Sequence, residues 1–547
     1  MVQVTYPAVS ITIRTADDID RALSRAARAV GRGARLVEWR LDELAEIPGS
    51  TNAAVELVAR SPAPSIATCR SRAEGGEYDG DDSTREALYE RLVLADKPPR
   101  YIDIDLAYWK RSETLRKTIT AALAHCGDDP KASLMLSTHD FERRPADLLQ
   151  RVEAMSNEPA CSVIKIAWQA RSLRDNLEAL DLVADRTKPA VVLCMGEFGL
   201  MSRVLAAKSG ALLTYASVGA GAETAPGQPT IDDLLGRYRF EKIGPATAVY
   251  GVIGWPVAHS LGPVIHNAGF EKIGYDGVYL PMPIPPQFEH FKATVGSLVD
   301  HGTLTFRGAS VTAPHKENLV RFVAESGGRV GDLARRLGAA NTLVIDNAGR
   351  IECTNTDAPA ILASLCGAMG IAPPQLRDVP IAVLGAGGVA RAVIGAVADA
   401  GANVVVFNRT RPRADVLAGE LRECRDAAGR PFRVSAGDLD SIADGTFRIF
   451  VNCTSVGMAG GPAPHASPLP EAVTLDESVI VFDTVYAPAR TRLLDQAEAA
   501  GARSIGGLDM FLRQAALQFR AWTGRDVPME AFRESITGRI DADPDPT

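Results

Sequence analysis

Cysteine is scarce in this 547-residue chain: eight residues, at 69, 126, 161, 194, 353, 366, 424 and 453, none of them forming a C-x-x-C pair. Neither a zinc site nor a disulfide framework is expected, and the thiols read as reduced core or strand residues. A basic excess is also missing. Lys plus Arg number 59 against 67 Asp plus Glu, a net charge of -8, which argues against nucleic acid or an anionic membrane as the main partner. A local basic patch remains able to hold a small anion. No uncharged apolar run approaches the roughly 20 residues that span a bilayer. The opening MVQVTYPAVSITIRTADDID has neither a basic-then-apolar leader nor Arg/Ser-rich transit character, so a soluble cytoplasmic protein is expected.

What is present is a globular mixture, 46% hydrophobic and 23% charged, at a length that implies two or three domains. Up to about residue 236, eight short β-type runs alternate with helical stretches: AVSITI (8–13), LVEWRL (36–41), SIATC (65–69), YIDID (101–105), ASLMLS (132–137), CSVIKIA (161–167), AVVLCM (190–195) and ALLTYA (211–216). This alternation predicts a closed (β/α)8 barrel, with a doubly wound open sheet as the alternative. In VEWRLD, period-two geometry sends Glu38 and Arg40 to one face and Val37, Trp39 and Leu41 to the other. With helices outside, the charged face must point into the barrel, where an unpaired charge is costly.

RYRFEKIGPATA (237–248) is polar and reads as a linker. A β/α region follows from 249 to about 365. The run PIAVLGAGGVARA is then a strand, a Gly-rich turn and a helix start. Gly385, Gly387 and Ala390 occupy the G-x-G-x-x-G/A positions, with Gly388 beside them, and the helix N-terminus faces an anion. The next strand, NVVVF, ends in Asn408, Arg409, Thr410 and Arg411, with Arg413 beyond. Basic groups there, where an NAD enzyme favours an acid, suit a 2′-phosphate and point to NADP; a solvated arginine run is the alternative. A lobe over 375–507 is therefore expected to be of Rossmann type. An apolar-striped helix lies around LDMFLRQAALQFRAWTG, and the tail DADPDPT, within 540–547, reads as disordered.

Two lysines stand out. Lys165, inside CSVIKIAW, is either paired with an internal carboxylate or used as an amine nucleophile toward a ketone, the second requiring neighbours such as Arg groups that favour the free amine. His139, closing LMLSTHD, is the natural proton carrier, although a hydrogen-bonded structural histidine is the alternative. Lys316, in SVTAPHKEN, could donate a proton to an alkoxide formed by hydride transfer if Asp357, in CTNTDAPA, holds it. A surface lysine and a helix cap are the competing readings of that pair.

VEWRLDEL, ATCRSRAEGGE, LSTHDFERRP, VIKIA, MGEFGLMSR and APGQPTIDDL, in that order, resemble type I 3-dehydroquinate dehydratase over residues 8–236. The resemblance implies that Lys165 forms a Schiff base and His139 moves protons, with Glu74 orienting it. It further implies that Glu38, Arg40, Arg70, Arg203, Thr224 (in place of Ser) and Gln228 bind substrate, Arg203 taking its carboxylate. GWPVAHSLGP, VTAPHK, AANTL, TNTDA, GAGGVARA, NRT, NCTSVGM, VFDTVYAP and GLDMFLRQAALQFRAWTG resemble shikimate dehydrogenase along 249–524. That resemblance makes Lys316 and Asp357 the catalytic pair. Ser260, Thr312, Asn341 and Gln514 would hold substrate, joined by Gln518 one helical turn on. Thr454, Ser455 and Met458 would lie along the cofactor, and Gly507 and Met510 near the nicotinamide. Residues 249–365 and 508–535 would then form the substrate lobe. The family pattern Ser-x-Ser reads Ser260-Leu261-Gly262 here, which resembles a quinate-preferring branch; Ala358 for Gly and Ser310 for Asn are milder departures.

In domain order the chain resembles the plant-type bifunctional enzyme, acting on small-molecule shikimate-pathway substrates. The competing expectations are a Schiff-base aldolase fused to a generic NADP oxidoreductase, and a nucleotide- or metabolite-sensing module without turnover.

Overall fold

The computed structural model describes residues 4–125, 132–426 and 428–537; Cys126 and the expected disordered tail lie outside them. Two compact units are present. One comprises residues 1–248 with Asp276–Pro283 and Asp300–Thr305, and the other holds the remainder.

The first is built on eight strands: β1 (Tyr6–Thr12), β2 (Leu36–Arg40), β3 (Ser65–Thr68), β4 (Tyr101–Asp105), β5 (Ser133–Asp140), β6 (Cys161–Gln169), β7 (Ala190–Met195) and β8 (Leu213–Ala216). Each falls within three residues of the run that predicts it. They form one parallel sheet in the order β7-β6-β5-β4-β3-β2-β1-β8. First and last strands pair directly, Ala8 opposite Tyr215. The Leu212 N–H donates to the Ala190 carbonyl at 2.9 Å across the remaining seam, so the barrel is nearly closed and an open sheet is set aside.

Period two builds the interior in layers. Ala8, Leu36, Ile66, Met135, Val163 and Leu213 form a buried apolar floor. Two residues further along their strands come Ser10, Glu38, Thr68, Ser137, Lys165 and Tyr215, all buried. The opposite parity, including Val37, Trp39, Ile164 and Trp168, is also buried and belongs to the outer face under the helices. A charged layer above an apolar one is the arrangement that the alternation in VEWRLD predicts. In the segment expected as a linker, Phe240–Lys242 forms a 3-10 turn and Phe240 is buried.

The strands that follow β8 form two six-stranded sheets. The first comprises β9 (Ala248–Gly254), β10 (Gly277–Pro283), β11 (Phe306–Val311), β12 (Arg329–Val330), β13 (Thr342–Ile345) and β14 (Ile351–Thr354), in the mixed order β10-β9-β11-β13-β14-β12. The second comprises β15 (Pro380–Leu384), β16 (Asn403–Phe407), β17 (Arg433–Gly437), β18 (Ile449–Asn452), β19 (Ile480–Asp483) and β20 (Arg503–Ile505). Its order, β17-β16-β15-β18-β19-β20, is parallel throughout. This is the doubly wound Rossmann order, and the Gly-rich turn follows the strand at which the winding reverses. Ile361, Leu365, Val383, Val393 and Val397 belong to its buried core.

Among the described residues no helix is long and apolar enough to cross a membrane. Their seven cysteines are all free, five of them buried.

Candidate active sites

The barrel cavity is lined by Glu38, Arg40, Arg70, His139, Lys165, Arg203, Thr224 and Gln228, so it gathers eight of the nine barrel residues singled out from sequence. The ninth, Glu74, stands behind His139. Lys165 shares the inward parity of β6 with Val163 and Ala167. Its Nζ donates to Glu38 Oε1 at 2.9 Å and to Asp103 Oδ2 at 2.7 Å and lies 4.5 Å from the centre of the Tyr215 ring. The amine's nearest charged neighbours are therefore carboxylates. This corrects the expectation of flanking arginines, and the cause is β4, whose Asp103 and Asp105 face inward and engage Arg70 themselves at 2.7 and 3.0 Å.

Burial would raise the carboxyl groups of both Glu38 and Asp103. Lys165 and Arg40 outweigh it at Glu38, as do Arg70 and Lys165 at Asp103, and both are held down at about 2. Glu74 goes the other way: burial and the nearby Asp105 push it up to about 7. His139 is driven well below the usual imidazole value by burial and by the cations Arg70, Lys165 and Arg40. Its backbone N–H donates to Glu74 Oε2 at 2.7 Å, and its Nδ1 lies 3.3 Å from the same oxygen. Arg203 has no ion pair among the described residues although it is fully buried, and its Nε lacks any partner. Burial lowers its guanidinium to about 10. A buried, uncompensated cation at a cavity wall favours an anion.

Arg40 is tied to Asp42 at 2.6 Å, and Gln228 Oε1 accepts from the Thr224 N–H at 3.0 Å. Sequence reasoning missed Asp103, Asp105 and Tyr215. YIDID shows the same alternation as VEWRLD, so that signal was available for the two aspartates. Arg85 was also missed. It is a fully buried helix residue paired with Asp105 at 2.6 Å, and no local pattern marks it.

In the second unit, Lys316 opens the helix Lys316–Glu325 and Asp357 opens the helix Asp357–Met369. Lys316 Nζ donates to Asp357 Oδ2 at 2.7 Å, and the carboxylate suits the positive end of its helix. Asn341 is buried against this pair's loops: its Oδ1 accepts the Thr356 N–H at 2.7 Å, and its Nδ2 donates to Gln514 Oε1 at 3.4 Å. Gln518 uses both ends of its amide within the chain, donating to the Asn341 carbonyl at 3.0 Å and accepting from Ser310 at 2.7 Å. It therefore supports Asn341, and the expectation that it joins Gln514 on substrate is corrected. Ser260 and Thr312 are half-buried and make no hydrogen bond to Lys316 or Asp357 among the described residues. The Ser260 hydroxyl accepts the Gly262 N–H at 3.2 Å.

The Gly-rich turn fits a dinucleotide. Gly385 has φ +111°, and a methyl group there would come within 2.9 Å of the Cys453 carbonyl. A methyl at Gly387 would meet nothing within 4 Å, and one at Gly388 would lie 3.5 Å from Lys316 Cδ. The open cradle and the candidate proton donor are therefore adjacent. Ala390 is buried in the helix Gly388–Asp399. Arg411 is committed to Asp415 and Asp438 at 2.9 and 2.7 Å, whereas Arg409 and Arg413 are exposed and have no ion pair among the described residues. Asn408 closes that loop onto the Thr410 carbonyl at 2.9 Å. Thr454 caps its own loop through Asn452 at 2.7 Å; Ser455 and Met458 beside it are exposed. Gly507 starts the helix Gly507–Thr523, and a methyl there would strike the Thr484 carbonyl at 2.5 Å. Met510 is buried in the core of this lobe.

The carboxyl shifts predict how stability changes in acid. Glu38 and Asp103 are lowered from 4.5 and 3.8, so their contribution is complete above about pH 4.5 and is lost as pH falls through 2. His139 also removes stability below about 6.5, because the unfolded ring takes a proton that the buried ring refuses. Glu74 opposes this between about 4.5 and 7. Urea midpoints measured across pH should therefore fall most steeply between about 4.5 and 2.

A family model described as type I 3-dehydroquinase matches residues 8–245. Models described as the shikimate dehydrogenase substrate binding domain and the shikimate 5'-dehydrogenase C-terminal domain match 252–343 and 507–537. The chain is 34% identical over 529 residues to the bifunctional 3-dehydroquinate dehydratase/shikimate dehydrogenase, chloroplastic, of Arabidopsis thaliana, a match covering 94% of this chain and 82% of that protein. It is 38% identical over 292 residues to the shikimate dehydrogenase (NADP(+)) of Methanopyrus kandleri, covering 53% of this chain and 95% of that one. The chain belongs to the bifunctional 3-dehydroquinate dehydratase/shikimate dehydrogenase family.

Proposed function

We propose that the barrel dehydrates 3-dehydroquinate to 3-dehydroshikimate through a Schiff base on Lys165, and that the second unit reduces that product to shikimate with NADPH. The observation that carries the first step is a cavity that presents an amine, a neutral imidazole and a buried guanidinium without a counter-ion. A cyclic keto acid meets all three: its ketone takes Lys165 and its carboxylate takes Arg203. Lys165 attacks as the free amine after giving one proton to water; return of that proton and loss of water leave an iminium beside Glu38 and Asp103, and hydrolysis of the product imine later returns the water and frees 3-dehydroshikimate. The iminium acidifies the adjacent C–H, and His139 removes that proton and helps the neighbouring hydroxyl leave as water. Arg40, Arg70, Thr224 and Gln228 hold the ring hydroxyls.

In the second unit, bound NADPH supplies the hydride. Lys316, held by Asp357 beside the Gly-rich turn, gives its proton to the developing alkoxide. Asn341 and Gln514 fix the substrate hydroxyls, with Ser260 and Thr312 at the same mouth. Gly385, Gly387 and Gly388 admit the pyrophosphate, Ala390 keeps the helix close, and Thr454, Ser455 and Met458 flank the nucleotide, with Gly507 and Met510 toward its nicotinamide end. Arg409, unpaired beside the committed Arg411, takes the 2′-phosphate with Asn408, Thr410 and Arg413. Gly262, where the family pattern has a hydroxyl, favours a second reading, oxidation of quinate in place of shikimate. A cytoplasmic location belongs to this reading as well.

Enone absorbance and NADPH consumption followed separately test the two halves. Lys165→Ala should reduce dehydration to background with reduction of added 3-dehydroshikimate unchanged. Lys316→Ala should do the converse, lowering reduction by about 10²- to 10⁴-fold. Loss of both activities in either variant would contradict the division of labour.

Arg409→Asp should raise KM for NADPH by roughly ten- to a hundred-fold and leave NADH nearly unaffected. An unchanged NADPH/NADH preference would remove Arg409 from the 2′-phosphate site. The same assays with quinate, in wild type and Gly262→Ser, decide the second reading.

A further inference from the structure

The contacts of Arg70 bear on how the base of the dehydratase is controlled. Arg70 Nη2 donates to Asp103 at 2.7 Å. Its Nη1 faces three acceptors: Asp105 Oδ1 at 3.0 Å, Ser137 Oγ at 3.0 Å and His139 Nδ1 at 2.7 Å. A guanidinium nitrogen can only donate. Nδ1 at that distance must therefore present its lone pair, and an imidazole with its lone pair free on Nδ1 is the neutral ring with its one proton on Nε2. Nε2 makes no hydrogen bond among the described residues, and His139 lines the cavity, so the nitrogen left for a ligand carries a proton and cannot accept one. In this state the ring is masked as a base.

The alternative state is already built. Glu74 Oε2 is fixed by the His139 backbone N–H at 2.7 Å and waits 3.3 Å from Nδ1, an acceptor suited to an Nδ1–H. Nη1 carries two hydrogens for three acceptors, so Arg70 can give up the ring and still satisfy Asp105 and Ser137. A ligand oxygen beside Arg70 adds a fourth claim, and the ring nitrogen is the acceptor with another partner to turn to.

We propose that Arg70 sets the resting tautomer of His139, holding the proton on Nε2, and that ligand engagement of Arg70 releases Nδ1 to donate to Glu74, unmasking Nε2 as the base. The exchange is balanced: Nε2 gives one proton to water, Nδ1 takes one from water, and the ring stays neutral. The trigger rests on the dehydratase reading, whereas the resting tautomer follows from the contacts alone. Arg70 acts here as a positioning residue, beyond any direct contact with substrate.

Nitrogen-15 NMR of the full chain labelled at histidine tests this, with His139 assigned by its loss in His139→Asn. The ligand-free chain should show the Nε2–H tautomer, and the borohydride-reduced adduct with 3-dehydroshikimate the Nδ1–H tautomer. Arg70→Lys, which keeps the charge but loses the fork, should move the ligand-free ring toward Nδ1–H. An Nδ1–H or doubly protonated ring in the ligand-free chain at neutral pH overturns the proposal. Wild-type turnover of 3-dehydroquinate with no tautomer change would sink the switch alone. Absence of turnover and of adduct would sink the dehydratase reading and the trigger with it, while the ligand-free spectrum would still judge the resting tautomer.

Discussion

The barrel depends on one constraint: charges placed where water is absent must balance. Lys165, Arg70 and Arg85 face Glu38, Asp103 and Asp105 in a continuous buried network, with every link at 3.0 Å or less. Removing one member would leave an uncompensated buried charge, which costs several kcal/mol, whereas the complete set roughly offsets its own desolvation. Three cations against three anions close the ledger, and Arg203 stands outside it. The surplus positive charge at the cavity wall suits an anionic ligand.

Both halves place a lysine beside a carboxylate, yet the two pairs are suited to different work. Lys165 lies between two carboxylates inside a barrel, at 2.9 and 2.7 Å, which suit the positive charge of the proposed iminium. Lys316 has one partner, at 2.7 Å, and lies along the start of the helix that follows the Gly-rich turn. There, a single proton passed to a substrate oxygen can be replaced.

Much of this was legible in the chain because period two and strand–turn–helix grammar are local. All eight barrel strands, the Rossmann strand leading into Gly385, and the inward aim of Glu38 and Arg40 follow from such patterns. Asp103 and Asp105 obey the same alternation and were overlooked because YIDID also reads as an ordinary strand. Arg85 could not be read, since its partner Asp105 lies 20 residues away on a different element. The supporting role of Gln518 was hidden likewise: its position on a helix face is periodic, but the groups that use up its amide, Ser310 and Asn341, come from distant strands and loops. The neighbours of Lys165 were misjudged for the same reason, because arginines predicted near it are neutralised by aspartates that only the closed barrel brings inward.

The account stands or falls on Lys165 as the nucleophile. Borohydride reduction of the full chain in the presence of 3-dehydroshikimate, followed by peptide-resolved mass spectrometry, locates the trapped amine directly. The account predicts a single stoichiometric adduct on the peptide containing Lys165. An adduct on another lysine such as Lys188 or Lys208, or none while dehydration proceeds, would contradict it.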